Sequence, residues 1–186
     1  MDNAPDDTLD SVLIGGKEKR TIEILDYDEE WATRFAAMST LISSALGTQL
    51  LLSIDHIGST SVPGLAAKPI IDILVIVPDV DDESTFVPQL VDSGLELRAR
   101  EPGHRLLRTP NRDVHVHVLS PGSTEIQDYL DLRDWLRVSS DDRELYAATK
   151  RRLATQDWAD MNLYADAKTD VVTLILEHAR AWRAAQ

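Results

Sequence analysis

The chain has 186 residues, of which 43% are hydrophobic and 27% charged, an ordinary composition for a globular protein that excludes disorder along its whole length. Its formal net charge of −13 predicts an acidic surface that repels phosphate backbones, so we expect no duplex nucleic acid as a partner. The sequence has no cysteine and no apolar run long enough to cross a bilayer, which excludes disulfides and predicts a cytoplasmic protein without membrane contact. A small anionic substrate remains a candidate wherever the chain forms a local basic pocket.

The first part of the chain is predicted to contain a mobile arm, a short strand and a helix. Residues 1–20 are polar and charged with little periodicity, and Thr21–Leu25 has the composition of a strand. From Asp28, a candidate N-cap, apolar residues recur at three- and four-residue spacing until Gly47, which predicts an amphipathic helix that ends there.

The middle of the chain is predicted to be rich in strands. The strands predicted here are, in chain order, "LLSIDHIG", "IIDILVIV", "HRLLRT" and "DVHVHVLS". The second of them is β-branched and too apolar for a sheet edge, so we expect a central strand that is covered on both faces. A helix around Pro88 precedes the last two strands, which form a hairpin around "PNRD".

The C-terminal third is predicted to be helical, with three helices after Ser123. This order of elements predicts an α/β (α+β) protein with a core over residues 21–122. Helices over residues 123–186 are expected to pack on that core.

Asp72, His115 and His117 are the first candidates for chemistry. A carboxylate inside an apolar strand is costly unless it is paired or used. Because side chains alternate along a strand, both histidines share one face, and they converge with Asp72 if the two strands are neighbours. Two imidazoles and a carboxylate suit a divalent transition metal. The alternative is that both histidines lie on a solvated polar face of the sheet.

The loop that precedes Asp72, "GSTSVPGLAAKP", is a candidate anion site. Its short side chains at Gly58, Ser59, Thr60 and Ser61 allow backbone N–H groups to approach a phosphate, and Lys68 adds a positive charge. The loop lacks the spacing of a Walker motif, and a tight connection between two strands explains its glycines and prolines equally well.

A second basic group lies in "HRLLR", which follows two further arginines in an otherwise acidic chain. Arg105 and Arg108 suit bidentate contact with phosphate or carboxylate groups. Arginines are also common on solvated strand edges, so both interpretations stay open.

Several of these segments together resemble the GrpB family. The resemblance rests on "ILDYDEEWATRF", "IDHIGSTSVPGLAAKPIIDILVIV", "HRLLR", "HVHV", "LRDWLR", "YAATKRRLA" and "YADAKTDVV", and it runs from about Ile22 to Trp182. It implies a nucleotidyltransferase-like fold of the DNA polymerase β type. GrpB-like domains also occur fused to dephospho-coenzyme A kinases in some bacteria.

The wider nucleotidyltransferase pattern, which the resemblance implies, places a Gly-Ser pair before a strand with two acids one residue apart. Residues 58–59 match the pair and Asp72 matches the first acid, but the second position is Leu74. His115 and His117 stand where a later strand of the family pattern supplies a third acid. Nucleotidyl transfer ordinarily uses two Mg²⁺ ions bound by oxygen ligands, whereas this set favours Mn²⁺ or a softer transition metal.

The first functional hypothesis is a small-molecule nucleotidyltransferase that binds an NTP and a divalent metal (Mg²⁺, Mn²⁺ or a softer ion). The loop from Ser59 would hold the triphosphate, Lys68, Arg105 or Arg108 would neutralise charge, and a histidine would act as metal ligand or general base. There are two alternatives. One is a different metal- or acid/base-dependent enzyme on the same fold, and the other is a non-catalytic module that binds a nucleotide or coenzyme A.

Arg133, Tyr164 and Lys168 fall on the family-like segments of the C-terminal helices. They are candidates for polar residues that face the site if these helices close over the sheet. Surface salt bridges are the alternative for each of them. The sequence does not indicate an oligomeric state.

Overall fold

The computed structural model describes residues 12–16, 18–19 and 21–186, and within this part of the chain it has a mixed five-stranded sheet and six α-helices. The strands are β1 (Ser53–Ile57), β2 (Ile71–Ile76), β3 (Glu96–Glu101), β4 (His104–Arg108) and β5 (Val114–Leu119). The helices are α1 (Glu30–Leu50), α2 (Val87–Asp92), α3 (Thr124–Val138), α4 (Ser140–Ala154), α5 (Met161–Asp166) and α6 (Thr169–Ala184). The predicted α/β (α+β) class is confirmed.

The sheet has the strand order β1-β2-β5-β4-β3, in which β2 and β5 are parallel and all other neighbours are antiparallel. Ile71, Ile73 and Val75 of β2 point to one face, where they are fully buried in the same core cluster as residues of α1 and α2. Leu74 and Ile76 point to the other face and pack against α3. The prediction of a central strand covered on both faces is therefore confirmed.

The long helix α1 begins at Glu30 with Glu29 as its N-cap, one residue later than the predicted N-cap Asp28, whose carboxylate accepts a hydrogen bond from the Glu30 amide at 2.9 Å. Gly47 has φ 63° and breaks the helical geometry, but the helical segment continues to Leu50 beyond the predicted end. The helix buries Trp31 against the sheet, as its apolar spacing indicates.

Two predicted elements differ from the structure, and one strand was missed. The predicted strand Thr21–Leu25 is wrong, because this segment makes only an isolated bridge between Leu25 and Ala67. Strand β3 was not predicted, because charged residues fill four of its six positions, although Leu97 and Ala99 have the two-residue spacing of a strand. The third predicted C-terminal helix is split into α5 and α6 by a break at residues 167–168.

Most of the predicted mobile arm, residues 1–11, 17 and 20, lies outside the described residues, and its mobility stays a prediction. The described part of the arm lies against the sheet. The amide of Ile14 donates to the carbonyl of Arg98 at 2.7 Å, and the Glu18 carboxylate pairs with Arg108 at 2.8 Å.

The C-terminal helices cover the connection between β1 and β2. Val62 and Leu65 of this loop are fully buried and share a core cluster with Leu136 of α3, Tyr146 of α4 and Ile175 of α6. The packing of the C-terminal helices against this loop therefore holds it in place. In the part of the chain that the structure describes, no helix is both long and apolar enough to span a membrane.

Candidate functional site

Asp72, His115 and His117 meet on the face of the sheet that α3 covers. The parallel pairing of β2 with β5 sets Asp72 opposite His115 and Leu74 opposite His117. The Asp72 Oδ1 atom lies 3.5 Å from His115 Nδ1 and 3.9 Å from His117 Nε2. The structure therefore brings together the three residues that the sequence singled out, and their chemical role stays a prediction.

The charges within this group are coupled. Burial by itself raises the pKa of Asp72, but the two imidazoles outweigh burial and hold the pKa of this carboxyl well below its ordinary value. Burial is the main cause that lowers the pKa of His117, although Asp72 opposes it. An ionised Asp72 beside a neutral His117 is thus the favoured state at neutral pH.

Gly58 allows the loop to touch Asp72. It has φ 68°, a conformation that side chains other than glycine rarely adopt, and a Cβ atom at this position would lie 3.0 Å from Asp72 Cβ and closer still to Oδ2. The glycine of the Gly-Ser pair is thus required by the approach of the backbone to the carboxylate.

The three hydroxyl residues of the loop form a short 3₁₀ turn, Ser59–Ser61, and have different surroundings. Thr60 Oγ1 donates to the carbonyl of Ile70 at 3.1 Å, and Ser61 Oγ donates to the carbonyl of Gly58 at 2.6 Å. Both hydroxyls stabilise the loop itself. The Ser59 hydroxyl instead accepts a hydrogen bond from a lysine of α4.

That lysine, Lys150, was missed as a site residue. Its side chain is only 3% exposed, and Nζ donates to Ser59 Oγ at 2.9 Å and to the carbonyl of Ala66 at 2.5 Å. Burial lowers the pKa of Lys150 to about 7, and the charges of Lys168 and Lys68 act in the same direction. The segment "YAATKRRLA" was part of the family resemblance, so the sequence did contain a signal for it.

Lys68 and Lys168 approach the same region from the loop and from the start of α6. Their Nζ atoms lie 4.9 Å and 5.0 Å from the centre of the Tyr164 ring. The Tyr164 hydroxyl is buried and has no hydrogen-bond partner among the described residues. Lys68 and Lys168 therefore both lie against Tyr164, and both are near enough to Lys150, which contacts the Gly-Ser loop, to lower its pKa.

A cavity of about 250 Å³ opens beside His115. Its lining includes the cationic side chains of Lys68, Arg108 and Arg112, together with two carboxylates. Since His115 belongs to both the cavity and the Asp72 group, a ligand in the cavity would lie next to His115.

Two of the predicted anion-binding arginines do not join this site. Arg105 points to the opposite face of the sheet, where it pairs with Glu83 and Asp81. Arg133 on α3 pairs with Asp55 at 3.1 Å and with Asp134 at 2.7 Å, and so connects α3 to β1. Arg108, by contrast, is on the same face as His115, its register partner.

The donor set is suited to a transition metal ion. One ligand atom from each of Asp72, His115 and His117 lies within 4.8 Å of the others. The position of the second acid in the nucleotidyltransferase pattern, Leu74, is buried and apolar. Two nitrogens and one carboxylate oxygen fit Zn²⁺, Mn²⁺ or Fe²⁺ better than Mg²⁺, which prefers oxygen ligands.

Comparison with known sequences identifies relatives along nearly the whole chain. The family model described as "GrpB protein" matches residues 21–178. A UPF0157 protein of Streptomyces coelicolor is 51% identical over 171 residues, which are 92% of this chain and 91% of that protein. A dephospho-CoA kinase of Mycolicibacterium paratuberculosis is 26% identical, over 79% of this chain and 43% of the kinase.

Comparison with solved structures supports the predicted fold. The crystal structure of the conserved protein GrpB from Enterococcus faecalis has a TM-score of 0.76 and 30% identity, over 86% of this chain and 99% of that one. A cytoplasmic RNA terminal U-transferase has a TM-score of 0.50 and 16% identity, over 71% of this chain and 41% of the transferase. The second likeness concerns the fold alone, and it confirms the predicted nucleotidyltransferase-like architecture.

Proposed function

Because the chain belongs to the GrpB family and has a nucleotidyltransferase-like fold, we propose that it is a small-molecule nucleotidyltransferase that binds an NTP and a divalent metal ion. The substrate that receives the nucleotidyl group would be a small molecule in the cavity beside His115. Fold alone does not define this reaction, so the proposal depends on the residues of the site.

The observation that carries the proposal is the buried ammonium group of Lys150 at the Gly-Ser loop. Within the described part of the chain, no carboxylate lies within salt-bridge distance of its Nζ atom, and two more lysines, Lys68 and Lys168, lie nearby. Burying a positive charge without a counter-charge is costly. Phosphate groups would supply that counter-charge, which explains why the chain retains a lysine in this position.

The proposed binding mode assigns a role to each part of the site. The turn Ser59–Ser61 and Lys150 would contact the phosphates, and the other two lysines would neutralise their charge. Asp72 and His117, with His115 as a third ligand, would hold the divalent ion, which when bound supplies Lewis-acid polarisation of a phosphate oxygen.

In the proposed reaction an acceptor oxygen attacks the α-phosphorus of the NTP and forms a new phosphorus–oxygen bond. The bond from that phosphorus to the bridging oxygen breaks, and pyrophosphate leaves with the electron pair. The proton of the acceptor is taken by His115, which lines the cavity, or by the departing pyrophosphate when His115 is a metal ligand.

The test is titration of each NTP into the purified protein by calorimetry, with Mg²⁺, Mn²⁺ or Zn²⁺, followed by an assay of pyrophosphate release in a metabolite pool. We expect NTP binding in the wild type and its loss in Lys150→Met. A matched control is Lys19→Met, because among the described residues the ion pair of Lys19 is an exposed one with Asp157. Absence of both NTP binding and pyrophosphate release would refute the proposal.

A different metal-dependent reaction is favoured by one observation, the apolar Leu74 in place of the second acid. In that case the protein binds Zn²⁺ or Mn²⁺ through the histidines but releases no pyrophosphate from any NTP. Metal analysis of the purified wild type and of His115→Ala and His117→Ala distinguishes this function, because both variants would lose metal.

A non-catalytic binding module is favoured by the match to a dephospho-CoA kinase, because the matched region makes up only 43% of that kinase. A thermal-shift panel with coenzyme A, dephospho-coenzyme A and NTPs tests it. A ligand present at 100 times its Kd adds about 2.7 kcal/mol to the free energy of unfolding. Stabilisation by coenzyme A without any turnover would support this function.

A further inference from the structure

A row of side chains on β3, β4 and β5 leads from the edge of the sheet to His117. Glu101 Oε2 lies 2.6 Å from His104 Nδ1, and His104 Nε2 lies 3.1 Å from His117 Nδ1. The two imidazole rings are stacked, with centroids 5.2 Å apart and planes that differ by 3°. His104 is buried, so no solvent competes along most of this row.

We propose that Glu101 and His104 are positioning residues of the Asp72, His115 and His117 group, which fix His117 in the tautomer that can bind a metal ion through Nε2. This inference rests on the metal site of the proposed function. It adds two residues that were not site candidates, although His104 begins the family-like segment "HRLLR", and it predicts how metal affinity changes when either is replaced.

The direction of the hydrogen bonds follows from the chemistry of the groups. An ionised carboxylate only accepts, so His104 must carry its proton on Nδ1. In neutral His104 the other nitrogen, Nε2, is then an acceptor, and His117 must donate to it from Nδ1. His117 Nε2 therefore has a free lone pair, and this atom faces Asp72 Oδ1 at 3.9 Å.

The same geometry explains why the row is needed. A histidine next to a carboxylate would otherwise place its proton between the two groups, where it would block a metal ion. Here the distance of 3.9 Å is too long for that hydrogen bond. Two ligand atoms that are each about 2.1 Å from a tetrahedral ion lie about 3.4 Å apart, close to the distances from Asp72 to the two histidines.

Metal-bound histidines commonly donate their second N–H group to a fixed acceptor, and loss of that acceptor typically weakens metal affinity by about 10- to 100-fold. Three protein ligands with an open position also resemble the arrangement of catalytic Zn²⁺ sites. A purely structural role for Glu101 and His104 would lower stability without affecting metal affinity in this way.

The experiment uses the full-length protein, freed of metal with a chelator, and measures Zn²⁺ affinity by calorimetry and Co²⁺ coordination by visible absorption. We expect His104→Phe to retain ring packing but lose the acceptor, and therefore to bind Zn²⁺ about 10- to 100-fold more weakly. His104→Gln retains an acceptor oxygen and should remain within about threefold of the wild type.

A matched control is His178→Phe. His178 Nδ1 pairs with Asp142 Oδ2 at 2.7 Å, a histidine–carboxylate pair far along the chain from β4 and β5, and its loss should leave Zn²⁺ affinity unchanged. Thermal unfolding of each metal-free variant identifies any that fail to fold. If His104→Phe does not fold, Glu101→Ala takes its place, with the same expected direction.

Nuclear magnetic resonance of the ¹⁵N-labelled metal-free protein gives a second measurement, the tautomer of His117. A proton on Nδ1 supports the inference, and a proton on Nε2 overturns it. Wild-type Zn²⁺ affinity in a folded His104→Phe also overturns it. If NTPs fail to bind while Zn²⁺ binds and His104→Phe weakens it, the nucleotidyltransferase function fails and this inference stands. If the wild type takes up no Zn²⁺, the positioning role of Glu101 and His104 is overturned together with the metal site.

Discussion

Replacement of Lys150 by methionine separates the binding role of this residue from its effect on stability. Methionine fills about the same space in the interior of the protein but carries no charge and donates no hydrogen bond to Ser59 or Ala66. If Lys150 is present in order to bind phosphate, the variant should lose NTP binding and gain stability at neutral pH. A residue that serves only the fold would show the opposite change in stability.

The magnitude follows from the pKa of Lys150, which burial lowers from its ordinary value of 10.5 to about 7. The unfolded chain therefore binds more protons than the folded one between these values, and the charge penalty falls as pH rises, from about 4 kcal/mol at pH 7 to about 2 kcal/mol at pH 9. The variant loses two hydrogen bonds and leaves the Ala66 carbonyl unsatisfied, which together cost about 3 kcal/mol. Lys150→Met should then be about 1 kcal/mol more stable at pH 7 and about 1 kcal/mol less stable at pH 9.

Thermal unfolding at both pH values, with Lys19→Met as the control, measures this change of sign. For a chain of this length, 1 kcal/mol corresponds to a shift of about 2–4 °C in Tm. Calorimetry with an NTP should show binding to the wild type and to the control but not to Lys150→Met. A variant that is less stable than the wild type at both pH values, or that still binds the NTP normally, would refute the reasoning.

Three further predictions concern the same site. Gly58→Ala should weaken Zn²⁺ binding because its Cβ would displace Asp72, whereas Gly64→Ala, also at positive φ but with open space around it, should cost only about 1 kcal/mol of stability and leave metal affinity unchanged. Arg105→Met should lower the free energy of unfolding by about 1–3 kcal/mol. It should leave the NTP affinity measured by calorimetry unchanged, because Arg105 lies on the face of the sheet opposite to the proposed site. The NTP affinity of the wild type should fall about 30-fold from pH 6 to pH 8.5, because the Lys150 ammonium, with a pKa of about 7, loses its proton; an affinity that stays constant over this range would contradict this role.

The convergence of Asp72 with His115 and His117 could be predicted because it depends only on the alternation of side chains along a strand and on which strands are neighbours. Alternation in a strand fixes which residues share a face, and the parallel pairing of β2 with β5 then brings the two faces together. The same rule applied to Arg105 and Arg108 would have separated them, since residues three apart in a strand point to opposite faces. The structure shows this separation.

Other parts of the site depend on contacts between segments that are remote in sequence. Strand β3 was missed because of its four charged residues, yet the guanidinium of one of them, Arg98, is buried against the carbonyl groups of Ile14 and Gly16. Lys150 was missed because periodicity shows which face of α4 is apolar but does not show which loop that helix covers. The burial of Arg98 and the contact of Lys150 with the loop both depend on tertiary structure, so local sequence patterns do not show them.

The replacement of an acid by Leu74 and the presence of two imidazoles on β5 have one physical explanation. Helix α3 lies over this part of the sheet, where Leu74 packs with Tyr129 and Leu130, so a carboxylate at position 74 would be stripped of water without a partner. The ligand that β2 does not provide is available from its register partner, His117, whose ring contacts Tyr129 at a centroid distance of 5.4 Å. Neutral imidazole tolerates that environment better than a second carboxylate. The apolar helix over the sheet and a nitrogen in place of an oxygen ligand would therefore go together, and in the proposed site they would favour a single transition-metal ion over a pair of Mg²⁺ ions.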